Sequence, residues 1–133
     1  MISAGLNHVA MSFPAGALST AFRDEVRRFY GELLGRTEID ELELPDPMTL
    51  AAGGGTYVNL RERAEAMVCH GDEHLGVTVR SAEDADGLWS ALAELGHDVE
   101  LSELDRGADG FRSFRFRHLL PMAVEVQFFP TAS

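Results

Sequence analysis

The chain has 133 residues, a net charge of −11 and an apolar fraction of 45%. That length suits one domain with a substantial core and is too short for two independent ones. All 11 basic residues are arginine, which excludes a Schiff-base lysine and a phosphate-loop lysine, and the acidic balance opposes nonspecific binding to nucleic acid or anionic lipid.

No apolar run approaches the roughly 20 residues of a membrane span. Residues Met1 to Gly5 show no basic region followed by an apolar stretch, so no secretory signal is expected. The single cysteine, Cys69, cannot form an intrachain disulfide. A bacterial cytoplasm is the expected compartment, with neither membrane nor nucleic acid as partner.

Leu6 to Phe13 alternates, with Val9, Met11 and Phe13 on one face and His8, Ala10 and Ser12 on the other, which predicts a half-buried strand. Pro14-Ala15-Gly16 breaks it. From about Leu18 to Leu34 the period becomes helical, with a stripe of Leu18, Phe22, Val26, Phe29, Tyr30, Leu33 and Leu34. Gly35 is placed to end this helix. Short strands follow near Thr37–Leu42, Met48–Ala52 and Tyr57–Arg61, punctuated by Pro45-Asp46-Pro47 and Gly53-Gly54-Gly55. The triple glycine reads as a hairpin turn, because a phosphate cradle needs a following helix and a lysine.

Arg63–Asp72 reads as a linker, after which the pattern restarts. His74–Arg80 alternates, with Leu75, Val77 and Val79 opposite His74, Gly76 and Thr78. Ser81 caps a second helix, whose expected buried stripe is Leu88, Trp89, Leu92 and Leu95, with Gly96 at its end. Strands near Val99–Leu101, Gly110–Arg117 and Met122–Phe129 complete the unit. Each half thus reads strand–helix–strand–strand–strand, with module one at about residues 1–65 and module two at about 70–131 of a single domain. The predicted class is α+β: two tandem βαβββ modules forming a curved, barrel-like mixed sheet around a central cavity.

The halves also echo each other chemically. His8 and His74 are 66 residues apart, and so are Asn59 and Glu125. His8, His74 and Glu125 each fall on the strand face opposite the apolar row. Two histidines and a carboxylate with open positions left over form the triad associated with non-haem iron, and the same ligand types serve zinc, manganese or nickel. Asn59 shares its face with Tyr57 and Arg61, which makes these two candidate pocket residues. Arg112, Arg115 and Arg117 fit the polar face of a strand, or one of them clamps a substrate carboxylate; Arg115 is a candidate pocket residue. His70-Gly71-Asp72-Glu73-His74 matches the inverted zinc-protease spacing, but that motif works only on a helix, and here a glycine precedes a strand.

The chain resembles the vicinal oxygen chelate superfamily, which includes glyoxalase I, extradiol dioxygenases, fosfomycin-resistance proteins and bleomycin-binding proteins. Gly5-Leu6-Asn7-His8-Val9-Ala10 is similar to the family's first strand. Phe29-Tyr30-Gly31-Glu32-Leu33-Leu34-Gly35 is similar to its FYxxLLG helix end. Phe116 to Glu125 has the length of its final hairpin, F-x-D-P-x-G-x-x-x-E, although His118-Leu119-Leu120-Pro121-Met122 lacks the Asp-Pro and the glycine, so its turn must differ. The resemblance implies a divalent metal (Fe, Mn, Ni or Zn) on His8, His74 and Glu125. Asn59 stands where glyoxalase I has a glutamate. An amide can coordinate weakly or touch substrate but cannot act as a base, so glyoxalase I activity is not expected. The expected function is metal-dependent catalysis, of the dioxygenase or the lyase/transferase kind, on a small molecule with adjacent oxygens. The alternative is a non-catalytic, drug-sequestering protein of the bleomycin-resistance type. The family's open sheets also imply a homodimer.

Overall fold

The computed structural model describes residues 2–33, 48–53 and 56–130. The predicted strand at Thr37–Leu42, Gly35 and the turn at Gly54-Gly55 lie outside the described residues. The chain divides into two compact units, Met1–Val68 and Cys69–Ser133.

In the first unit, strand β1 (His8–Pro14) leads into helix α1 (Thr20–Leu33), followed by β2 (Met48–Gly53) and β3 (Thr56–Arg63). The sheet order is β1-β3-β2, with β1 parallel and β2 antiparallel to the central β3. Period-two alternation places Met11 and Phe13 on the same face as Val58, Leu60, Met48 and Leu50, all buried. Leu18 in the turn before α1, and Val26 and Tyr30 on α1, are also buried, and the Phe13 ring meets Phe22 edge-on at 5.6 Å. Removing each such side chain from water contributes roughly 1.5–3 kcal/mol. The turn into α1 is built on Gly16, at φ +82°, and on Glu62, whose carboxylate accepts the Gly16 and Leu18 N–H groups at 2.7 and 3.3 Å. Ser19 caps the helix by accepting the Phe22 N–H at 3.2 Å.

The second unit contains β4 (His74–Thr78), α2 (Ala82–Glu94), β5 (Glu100–Leu101), β6 (Asp105–Arg106), β7 (Arg112–Arg117) and β8 (Ala123–Phe128). Its sheet order is β4-β8-β7-β5, with β6 also paired to β7. The cap expected at Ser81 is present, its hydroxyl accepting the Asp84 N–H at 3.0 Å. Helix α2 buries Ala85, Leu88 and Leu92, spaced three and four apart, against Phe114, Phe116, Val124 and Val126.

Three local expectations change. Leu95 is 41% exposed and Ala85 is fully buried, so the stripe of α2 runs one turn nearer its start than predicted. Trp89 is only half-buried, because its indole N–H reaches out to the Ser102 carbonyl at 3.0 Å. The strand expected from Gly110 begins at Arg112, since Asp109 and Gly110 adopt φ +60° and +90° in a one-turn 3-10 helix, Ala108–Gly110. The altered hairpin after β7 turns on Leu119, at φ +65°, with the Leu120 N–H donating to the His118 carbonyl at 2.7 Å. The α+β class and the succession strand–helix–strands in each half are those of the sequence reading.

Candidate metal centre

The 66-residue echo is a statement about register. In the first unit His8 pairs with Tyr57, Ala10 with Asn59 and Asn59 with Thr49. In the second, His74 pairs with Ala123, Gly76 with Glu125 and Glu125 with Arg115. Each partner in the second set is 66 residues beyond its counterpart in the first. The two three-strand sheets β1-β3-β2 and β4-β8-β7 therefore share one hydrogen-bond lattice, and a histidine occupies the same node in each. All these side chains stand on the face opposite the apolar rows.

In the second unit the polar face gathers around Glu125, 17% exposed. Its Oε2 lies 2.7 Å from His74 Nε2 and 3.6 Å from Arg115 Nε. Its Oε1 accepts from Ser113 Oγ at 3.0 Å and from Gln127 Nε2 at 3.3 Å. His74 Nδ1 lies 2.9 Å from the Asp72 carbonyl. A carbonyl only accepts, so Nδ1 carries a proton. Nε2 then faces a carboxylate at hydrogen-bonding distance, and that contact is attractive only with a proton or a cation between the two atoms. Two metal ligands on adjacent coordination positions are separated by about 2.9–3.3 Å at ordinary bond lengths. His74 and Glu125 thus need to part by only a few tenths of an ångström to hold an ion. The Asp72 carbonyl and the Ser113 and Gln127 donors already supply the outer contacts that orient such ligands.

The equivalent face of the first unit is arranged differently. His8 Nδ1 lies 2.6 Å from Asn7 Oδ1, which again directs Nε2 away as the nitrogen with the lone pair. The ring stacks on Tyr57 with centroids 4.9 Å apart and planes 6° from parallel. Where His74 has Ala123 opposite and can lean onto Glu125, His8 has an aromatic ring opposite and lies flat on it. Asn59 is 2% exposed, and its Oδ1 accepts from Thr49 Oγ1 at 3.0 Å. This pair occupies the node held by Glu125 and Arg115 in the second unit. Arg61 is half-buried, and its Nε is shielded from solvent with no hydrogen-bond partner. Among the described residues, no group of three or more His, Cys, Asp or Glu side chains is placed to hold an ion.

Sequence reasoning missed Ser113, Gln127, Thr49 and the Asp72 carbonyl. Ser113 and Gln127 stand two residues from Arg115 and Glu125, so simple alternation was a sufficient signal for both. The Asp72 contact depends on how the linker approaches β4, which has no periodic signature. Of the remaining candidates, Cys69 lies in that linker. Partial burial, and then the neighbouring Glu73 carboxylate, push its thiol pKa up, which keeps it protonated and unreactive. His97 is exposed, and His118 is tied to the Asp98 carbonyl at 2.7 Å.

Comparison with known proteins bears on the fold. No protein-family model matches the sequence, and no curated protein sequence is significantly similar to it. Solved structures match along nearly the whole chain. The oxidase ChaP-H2 aligns with a TM-score of 0.68 at 18% identity, covering 99% of this chain and 98% of that one. A glyoxalase family protein from Bacillus anthracis gives 0.64 at 18% identity, with 96% of each chain covered. An integron cassette protein from the mobile metagenome of the Halifax Harbour sewage outfall gives 0.63 at 20%, covering 94% and 98%. The chain shares the glyoxalase-like fold of these structures. Among the described residues no helix is long and apolar enough to cross a membrane.

Proposed function

We propose that this protein is a metal-dependent enzyme acting on a small molecule with adjacent oxygens, with the ion held by His8, His74 and Glu125. The observation that carries the proposal is the 2.7 Å approach of His74 Nε2 to Glu125 Oε2, with Nδ1 committed to the Asp72 carbonyl. That arrangement calls for a positive charge between the two atoms. His8 presents the same nitrogen from the equivalent strand of the first unit. A divalent ion at such a site supplies Lewis-acid polarisation of an oxygen pair and a template for a second reactant.

The chain's own groups have definable tasks. Ser113 and Gln127 hold Glu125 Oε1 and so aim Oε2 at the histidine. Asn59 sits at the node where an acidic group would supply a base. Its amide offers only an oxygen or an N–H to a substrate, and no proton-transfer step is assigned to it. Tyr57 backs His8 and restricts its rotation. The oxidase named among the structural neighbours fits this reading without defining the reaction.

One observation favours a second reading. Glu125 is met by four side chains, a self-satisfied cluster that suits a non-catalytic, drug-sequestering binder. One experiment separates the two. The purified protein is equilibrated with iron(II), manganese, nickel or zinc, desalted, and its metal content measured. The enzyme reading expects one ion per chain for at least one metal, lost in His8→Ala, His74→Ala and Glu125→Ala. It fails if no metal is retained stoichiometrically, or if His8→Ala retains it. We further propose a homodimer, since β1 and β4 each end their described sheets with an unpaired edge. Light scattering at the mass of a monomer rejects that.

A further inference from the structure

Three arginines lie on β7, and the structure separates their roles. Arg112 is 15% exposed and donates from Nε to Asp86 on α2 at 2.8 Å and from Nη1 to the Phe111 carbonyl, so it fastens helix to sheet. Arg117 approaches Glu100 across the β5–β7 ladder at 3.7 Å, beyond hydrogen-bonding range, and its Nε is buried with no hydrogen-bond partner among the described residues. Arg115 is set apart by its place, directly across the ladder from Glu125. Among the described residues its one ionic contact is Nε to Glu125 at 3.6 Å, beyond hydrogen-bonding range, and its side chain is 39% exposed. Because Nε is the atom nearest Glu125, the planar edge formed by the two Nη groups is uncommitted. That edge presents parallel N–H donors at the spacing of a carboxylate's oxygens.

The setting makes this edge selective. The chain carries a net charge of −11, so an anion is repelled at long range unless a local cation meets it. Arg115 stands beside the carboxylate proposed to hold the ion, with Arg117 two residues along on the same face. We propose that Arg115 receives the anionic end of the substrate, which makes the substrate a small carboxylic acid bearing an oxygen on the carbon next to the carboxyl group, rather than a neutral diol or ketol. This rests on the metal-centre reading for the position of the second oxygen, but the carboxylate–arginine contact is independent of it. The guanidinium positions the ligand by two parallel hydrogen bonds and takes no part in bond making. Loss of such a charge-assisted pair removes a large share of the affinity of so small a ligand.

The test uses glycolate and its neutral isostere hydroxyacetone, titrated by ligand-observed NMR into zinc-treated and metal-free protein. The wild type is expected to bind glycolate at least tenfold more tightly than hydroxyacetone. Arg115→Gln should erase that preference and leave zinc content unchanged. Arg115→Lys should keep part of it, and Arg117→Gln should stay within about twofold of wild type. The proposal is overturned if the wild type does not prefer glycolate, or if Arg115→Gln binds it as well as wild type does. If the protein retains none of iron(II), manganese, nickel and zinc, the metal reading fails, while the metal-free titration still judges Arg115.

Discussion

Replacing Glu125 by glutamine separates a metal ligand from a structural charge. The substitution keeps the side-chain volume and removes only the charge. Its amide oxygen can still accept from Ser113 and Gln127, now at 3.0 and 3.3 Å from Glu125 Oε1. Its amide N–H can donate to His74 Nε2, whose lone pair is available once Nδ1 donates to the Asp72 carbonyl. No buried polar atom is orphaned. The loss is therefore the difference between charge-assisted and neutral hydrogen bonds, about 0.5–1 kcal/mol for each of the three bonds. Solvent screening reduces it, because His74, Glu125 and Arg115 side chains are 30%, 17% and 39% exposed. A net destabilisation of about 1 kcal/mol follows, or a fall in Tm of about 3–5 °C. Metal retention should fall at least 100-fold, since an anionic ligand has more effect than the outer contacts that cost 10–100-fold. Trp89, the chain's single tryptophan, lies on α2 of the same unit and reports urea unfolding by fluorescence. A loss above about 3 kcal/mol in metal-free protein, with metal content unaltered, refutes the reasoning and makes Glu125 a structural charge.

The remaining predictions concern local physics. Ser81→Ala should cost about 1 kcal/mol by leaving the Asp84 N–H without its cap, measurable by the same urea titration; no change means that water replaces the hydroxyl fully. Gly96 sits at φ +63° just past the end of α2, with open space where a Cβ would stand. Gly96→Ala should therefore cost about 1 kcal/mol from backbone strain alone, and Gly96→Asn less; equal costs point to packing instead. Cys69 should react slowly with iodoacetamide near neutral pH, because its raised pKa leaves little thiolate. Glu73→Gln removes the neighbouring negative charge, lowers that pKa and should speed alkylation, with the pH–rate profile moving to lower pH. A profile that does not move assigns the shift to burial alone.

Most of the local structure was legible in the sequence because it is written in periods. Alternation marked β1, β4 and β8, and the 3.6-residue stripe marked both helices. Ser81 signalled its cap by its position before the stripe. Prediction slipped where a residue's environment is set from outside its own element. Leu95 fits the helical period of α2 and is still 41% exposed. Asp109 and Leu119 take positive φ values that a non-glycine sequence does not advertise.

The sequence by itself determined the repeat, the identity of the residues at its matching nodes and the face each occupies, since a strand fixes sidedness by alternation alone. Tertiary structure decided what those residues do with one another. Ala123 leaves His74 room to reach Glu125, whereas Tyr57 holds His8 flat by stacking, and both outcomes follow from the residue that pairing places across the ladder. Among three similar arginines on one strand, only tertiary contacts distinguish Arg112, fastened to Asp86 on α2, from Arg115 and Arg117, each with a single longer ionic contact. Those contacts join residues far apart in the chain, and no local pattern encodes them.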